Sequence, residues 1–272
     1  MKRSTRFLGA FLCFVFFCAC ILPVAVSAAK IPAISTEHAS EGYFTVQYTC
    51  SDRMKVGVTC GSNTVYYDYT SGESASYTFT NGNGTYTITL FRRVTGTSYT
   101  PITSVKVNVK IEDKLAPYCA STKEITFAKD DPVGRKAAEL CKDLTDNVAK
   151  VLAIHNFVAS TMTYDYDFAA SIISGKVKTY VPNTSSILES KKGICYDYAA
   201  LFAALCRSQD IPCSIEKGYY YGGYHAWNKV YLNDTWYTMD LTMDSSFHVI
   251  NAAALEDCVI TLTADSGYKY VK

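Results

Sequence analysis

The chain has 272 residues, 49% hydrophobic and 19% charged, a length and balance that allow one large domain or two ordinary ones, each with a real core. Its 26 Lys and Arg stand against 25 Asp and Glu, so no bulk field recruits nucleic acid or an acidic membrane and partners must be recognised locally. The 22 tyrosines offer apolar area with a polar tip, which suits sheet faces and the walls of peptide-binding clefts.

Lys2, Arg3 and Arg6 precede an uncharged run from Phe7 to Ala29 that ends in the small residues Ser27, Ala28 and Ala29. This pattern reads as a secretory signal over residues 1–29 and implies a secreted or cell-surface protein. A bilayer span needs roughly 20 residues, so the run is also long enough for an uncleaved anchor, a reading that the small-residue terminus disfavours. Cys20 is no lipidation site on this pattern, because the apolar run continues past it. Cys13, Cys18 and Cys20 lie in the run, leaving eight of the eleven cysteines, which export would permit to pair. Cys206 and Cys213 flank a chain reversal and form the best-placed pair. Cys50 and Cys60 fall out of bridging reach if the strands around them form a hairpin.

From residue 30 to 112 short alternating segments are separated by turn residues: Tyr43 to Tyr48, Lys55 to Thr59, Thr64 to Tyr69, Ser76 to Phe79, Tyr86 to Arg92 and Val105 to Ile111. Asn81 to Gly84 and Thr95 to Thr100 mark turns. Period-two alternation without a helical stripe predicts a small antiparallel β-sandwich, Ig-like in architecture. It carries no ionisable cluster, so it reads as a binding or spacer module, or simply a structural companion.

Residues 113–272 change period. Helices are predicted over Val133 to Leu144, over Val148 to Ala159 entered through Asp146, and over Asp167 to Ser174 stopped by Gly175. Ser186 and Glu189 have capping-box spacing for a further turn. Gly193 then breaks the chain and Cys195 opens a helix with the stripe Tyr198, Ala199, Phe202 and Leu205, ending before Pro212. Strands follow at Cys213 to Tyr221, Tyr224 to Leu232 and Thr235 to Leu241. Helices followed by antiparallel strands define an α+β domain.

A thiol with an ordinary pKa of about 8.5 is mostly protonated at neutral pH. A helix N-terminus favours its ionisation and offers unpaired amides to an oxyanion, and Gly193 allows close approach to Cys195. If Asn233 and Asp234 form the hairpin loop, Leu232 faces Thr235, Trp227 faces Asp240, and His225 and Asp240 become diagonal neighbours with Cβ atoms at roughly 7 Å or less. Nucleophile, base and orienting acid are thus expected at Cys195, His225 and Asp240. Asp244 is the nearest substitute for the acid. His38, His155 and His248 are scattered and no zinc spacing occurs, so neither a metal nor another cofactor is expected.

At these residues the chain resembles the transglutaminase-like superfamily, in particular its exported two-part bacterial members. The matching segments are Gly193-Ile194-Cys195-Tyr196-Asp197-Tyr198-Ala199, Arg207-Ser208-Gln209-Asp210-Ile211-Pro212, Tyr224-His225-Ala226-Trp227-Asn228 and Trp236-Tyr237-Thr238-Met239-Asp240. The resemblance implies a papain-like triad and acyl chemistry on amides. It also implies an oxyanion or cleft-wall role for Tyr164, with Tyr196 and Trp227 as further wall candidates. Two positions depart from the family pattern. Asp210 stands where a left-handed glycine is usual, and Leu241 replaces the proline after the acid.

The sequence therefore predicts a secreted thiol enzyme that hydrolyses or exchanges amide bonds in peptides or proteins, cell-wall peptides and surface proteins being examples. Water or an amine would resolve the same acyl-enzyme. The alternative is a non-catalytic surface binding or scaffolding protein. A redox thiol role is weaker, because no Cys-x-x-Cys occurs.

Overall fold

Alternation of buried and exposed side chains sets the first part of the chain: along Gly84–Thr95, Tyr86, Ile88 and Leu90 point inward and their neighbours outward, the signature of a half-buried strand. The computed structural model describes residues 33–247, 249, 251–261 and 266–270; the signal expected at 1–29 and His248 lie outside them. Seven strands form first: β1 (Ile34–Ser35), β2 (Tyr43–Gln47), β3 (Met54–Cys60), β4 (Asn63–Tyr69), β5 (Ser74–Thr78), β6 (Gly84–Thr95) and β7 (Ser98–Val109). They make two antiparallel sheets, β1-β2-β5 and β4-β3-β6-β7. Phe44, Val46 and Tyr77 of the first sheet share one core with Val56, Ile88 and Leu90 of the second.

The hairpin considered between β2 and β3 does not form. β2 pairs with β5, placing Val46 opposite Ala75, whereas β3 lies between β4 and β6. Each strand has one apolar face, and the two faces meet across the core instead of lying side by side. Cys60 consequently faces Asn63 and Tyr86.

The second part comprises α1 (Pro132–Leu140), α2 (Asn147–Thr161), β8 (Thr163–Tyr164), α3 (Tyr166–Ile173), α4 (Thr184–Ser190), β9 (Lys192–Gly193), α5 (Cys195–Ser208), β10 (Cys213–Tyr220), β11 (Gly223–Leu232), β12 (Thr235–Met239), α6 (Leu241–Ser246) and β13 (Tyr268–Tyr270). Side chains of Asp131, Asp146, Asp165 and Asn183 accept backbone N–H groups at four helix starts, satisfying donors that the helix itself leaves open. Asn183, not Ser186, caps α4; Ser186 supplies the N–H that Asn183 accepts. The antiparallel sheet runs β12-β11-β10-β13. Against it lies α5, buried on every side from Asp197 to Ser208, so the apolar stripe expected for this helix widens to its whole circumference. The sheet covers one flank, and α1, α2, α4 and α6 cover the rest.

Residues from Pro32 onward form one compact unit containing both cores. The architecture is α+β, with a small β unit ahead of the helices and second sheet. Arg207 ties the connecting segment in: its guanidinium donates to Cys213 O at 2.7 Å and Ala120 O at 2.6 Å. Asp210 adopts the left-handed conformation after α5, with φ 59°, which aspartate tolerates better than most residues. Cys206 and Cys213, expected as the best-placed disulfide, are both free thiols in the core. Burial pushes the Cys206 thiol up, and Cys213 Sγ accepts from Asn228 Nδ2 at 3.8 Å.

Candidate active site

Cys195 is the first residue of α5, and three neighbours fix its position. The Asp197 carboxylate folds back to accept Ile194 N–H at 2.8 Å and takes the Tyr180 hydroxyl hydrogen at 2.5 Å, closing the helix start. A Cβ on Gly193 would stand 2.4 Å from Asp197 Cβ, so only glycine leaves room for that carboxylate. The parallel pair β8–β9 aligns Tyr164 with Gly193, and Asp165 N–H donates to Gly193 O at 2.9 Å. Tyr164 thereby stands beside Cys195 in the same cleft. Burial, then the Cys195 charge, pushes this phenol up to about 12, so it stays a donor at working pH.

His225 comes from β11 and Asp240 from the residue after β12. The hairpin register is the one expected, Leu232↔Thr235 through Asn228↔Met239, because Asn233 and Asp234 both take positive φ, 49° and 60°, as a two-residue primed turn requires. Beyond Met239 the expected strand stops. Asp240 instead caps α6, with Oδ1 accepting Thr242 N–H at 3.1 Å and Met243 N–H at 3.2 Å. Leu241 then occupies the first helical position, where proline is also at home; that explains how the departure is accommodated. Oδ2 of the same carboxylate accepts His225 Nε2–H at 2.6 Å and the Tyr268 hydroxyl at 2.8 Å. With Nε2 taken by Asp240, Nδ1 is the ring nitrogen left for the Cys195 thiol, and both residues line the same cleft.

The imidazole is held well above its ordinary value. Burial would lower it, but hydrogen bonds to Asp240 and Cys195, with the charges of both, push it up to about 9. An imidazole hydrogen-bonded to a buried carboxylate holds its proton more tightly in this way. His225 is 9% exposed and Asp240 is fully buried, so solvent screens the pair weakly.

Asp244 is engaged elsewhere. His155, fully buried on α2, meets Asp244 at 2.9 Å through Nε2 and Asn156 Oδ1 at 3.0 Å through Nδ1. Burial raises the Asp244 carboxyl, with the His155 hydrogen bond opposing. Asp240, not Asp244, is therefore the carboxylate presented to His225.

Trp227, considered for the cleft wall, is not on it. At 1% exposure it lies behind His225, ring centroids 6.1 Å apart, with its indole N–H unpartnered among the described residues. Two positions along β11 it shares the His225 face, but the rings of Tyr268 and Tyr270, with centroids 5.1 and 5.4 Å away, cover it there. Tyr196 does reach the cleft. Its hydroxyl donates to Glu124 Oε1 at 2.5 Å, and Lys217 Nζ donates to the same oxygen at 2.5 Å while lying 4.3 Å over the Tyr196 ring. Glu124 and Tyr268 were invisible to sequence reasoning. Their partners are distant in the chain, and only the short alternation Tyr268-Lys269-Tyr270 hinted at an edge strand.

The thiol and imidazole open onto a cleft of about 490 Å³. Tyr66, Tyr67 and Tyr77 of the β unit line it together with Tyr164, Tyr180 and Tyr224. Such a concave, mainly apolar site with a few placed polar groups is the usual form of a ligand-binding cleft.

A thiol, an imidazole and a carboxylate joined in series on an α+β scaffold define a papain-like arrangement. Residues 135–241 match the family model of the transglutaminase-like superfamily, a stretch that contains the Cys, His and Asp segments in which the resemblance was seen. The chain is 34% identical over 103 residues to a UPF0252 protein of Methanocaldococcus jannaschii, covering 35% of this chain and 29% of that protein. It is 27% identical over 154 residues to the mouse kyphoscoliosis peptidase, covering 52% of this chain and 22% of the peptidase. The match thus spans less than a third of either relative. Among solved structures, the periplasmic domain of TgpA from Pseudomonas aeruginosa superposes with a TM-score of 0.37 at 13% identity, over 77% of this chain and 74% of that one.

Proposed function

We propose that the chain is an exported thiol enzyme that cleaves or exchanges amide bonds of peptides or proteins through an acyl-Cys195 intermediate. The observation that carries this reading is His225 held by the buried Asp240 carboxylate at 2.6 Å, with the imidazole and Cys195 together lining one cleft. Export rests on residues 1–29. Hydrolysis of a peptide draws support from the peptidase name of the mammalian relatives, and the tyrosine-lined walls suit an extended peptide.

The steps follow from the geometry. His225 Nδ1 takes the thiol proton, and the imidazolium is stabilised by Asp240. The thiolate attacks the substrate carbonyl carbon, the C=O π pair moves to oxygen, and the open amides at the start of α5, with the Tyr164 phenol beside them, face that oxyanion. Collapse expels the amine, which takes the proton from Nδ1 and leaves a thioester on Cys195. Water or a second amine then adds, giving its proton to Nδ1, and the thiol is regenerated on collapse.

The test is intact-mass spectrometry of the mature chain mixed with a panel of peptide amides, with and without an alkyl amine. A mass increase equal to the acyl group, absent in Cys195→Ala, is expected; its absence across the panel, with no product released, would refute the reading. Product containing the added amine would identify transfer, and free acid would identify hydrolysis.

A further inference from the structure

The short strand β13 brings a side chain to the site that the steps above do not use. Tyr268 donates its hydroxyl hydrogen to Asp240 Oδ2 at 2.8 Å, and that oxygen also accepts His225 Nε2–H. Its ring packs on Tyr220 with centroids 4.6 Å apart and meets the Trp227 ring edge-on at 5.1 Å. The seating of β13 has its own accommodation in the partner strand. Gly218 of β10 pairs with Tyr270, and a Cβ there would lie 2.1 Å from Lys269 O and 2.7 Å from the Trp227 ring. Any larger residue at 218 would push the strand off the sheet.

We propose that Tyr268 is a positioning residue for the acyl-transfer site: through its hydrogen bond to Asp240 it fixes the carboxylate and limits how tightly that carboxylate holds the His225 proton.

The proposal rests on the triad reading for its effect on rate, but not for its effect on the imidazole. A carboxylate oxygen shared by two donors spreads its charge over both, and removing the neutral one concentrates the charge on the other. Asp240 Oδ1 cannot adjust, because Thr242 and Met243 amides occupy it. The Tyr268 phenol is itself held protonated, by burial first and then by Asp240, so it remains a donor wherever the site works. The other ionisable groups facing the pair are Cys195 from α5, Tyr220 from β10, and Asp244 from α6 with its partner His155 from α2. None of these donates to Oδ2.

The experiment is a pH titration of the His225 imidazole by NMR in the histidine-labelled mature chain, comparing wild type, Tyr268→Phe and a chain with 3-fluorotyrosine at position 268. Phenylalanine keeps the ring and removes the donor, so the His225 titration should move up by about half a unit. Fluorotyrosine keeps the ring and strengthens the donor, so the titration should move down. The rate of iodoacetamide alkylation of Cys195 should show its alkaline limb displaced in the same two directions. Opposite movements in the two variants support the proposal. An unmoved titration in a folded Tyr268→Phe chain, even with a lowered melting temperature, overturns it, as does a shift of the same sign in both variants. Should Tyr268→Phe not fold, the fluorotyrosine chain decides alone. None of these readouts needs a substrate, so a chain that turns over no amide would refute the acyl-transfer reading and leave this result standing.

Discussion

Replacing Asp240 by asparagine separates the two duties of that carboxylate. Asparagine is as good a helix cap as aspartate, so its Oδ1 can keep the amides of Thr242 and Met243 and α6 should remain. Its Nδ2, however, meets two donors, His225 Nε2–H and the Tyr268 hydroxyl. The imidazole relieves that clash by moving its proton to Nδ1, the nitrogen that must accept the thiol proton. The raised value of His225, from 6.5 to about 9, corresponds to about 3 kcal/mol, a few-hundred-fold in the imidazolium ratio. Asp240 is the first of the groups that raise it. Without that charge, burial dominates and the alkaline limb should fall below about 7. At pH 7.5 the rate of acyl-enzyme formation should drop by roughly 10²–10⁴, while the melting temperature moves by only a few degrees. The assay is kcat/KM against pH on a peptide amide, alongside iodoacetamide alkylation of Cys195. A folded Asp240→Asn chain with its alkaline limb still near 9 would refute the assignment. Asp244→Asn is the control. It removes the carboxylate that faces the buried His155 and should lower the melting temperature, while its limb stays in place; a limb that collapsed only there would identify Asp244 as the acid.

The remaining expectations are narrower. Iodoacetamide should modify Cys195 first, since Cys141, Cys206, Cys213 and Cys258 are buried, burial pushes the Cys119 thiol up to about 11, and the half-buried Cys50 and Cys60 sit beside Asp52 and Tyr86, not beside an imidazole; peptide mapping at pH 7.5 that found another cysteine faster would contradict this. Gly193→Ala should displace Asp197 from the start of α5, lowering the melting temperature and slowing alkylation at least ~10-fold, because that end of the helix then loses its cap. Tyr66→Ala removes a 58% exposed ring from the cleft wall and should raise KM for a peptide several-fold with kcat unchanged; an altered kcat at constant KM would place the ring outside the binding face. Because the folded value of His225 is raised, its stabilisation is whole below about 6.5 and is lost as pH rises through about 9. Melting temperature should therefore fall across that window in the wild type, and His225→Ala should flatten the slope.

Local chemistry explains what could be read in the sequence. The Asn233-Asp234 loop sets a register, and register alone makes His225 and Asp240 neighbours. Gly193 followed by Cys195 announces a helix start, and Asp146 announces another. Features that depend on distant pairing were hidden. Nothing in the alternation of Tyr43–Gln47 and Met54–Cys60 tells whether two amphipathic strands lie beside each other or across a core. Asp240-Leu241-Thr242 continues a strand pattern as easily as it caps a helix, although Asp followed by a helix-compatible run was a usable signal. Glu124 reaches Tyr196 across 72 positions and Lys217 across 93, beyond any local motif. Trp227 looked like a wall because it sits two residues from a histidine at the opening; the tight seat provided by Gly218 and β13 shows why it is enclosed.

The double use of Asp240 also makes the site observable without chemistry. The amides of Thr242 and Met243 donate to the carboxylate that holds His225, and a backbone hydrogen exchanges with deuterium only when such a bond opens. Exchange at those two positions therefore reports how often the carboxylate lets go. It is a built-in gauge of site integrity that can be read in a ligand-free chain, residue by residue, before any substrate is known.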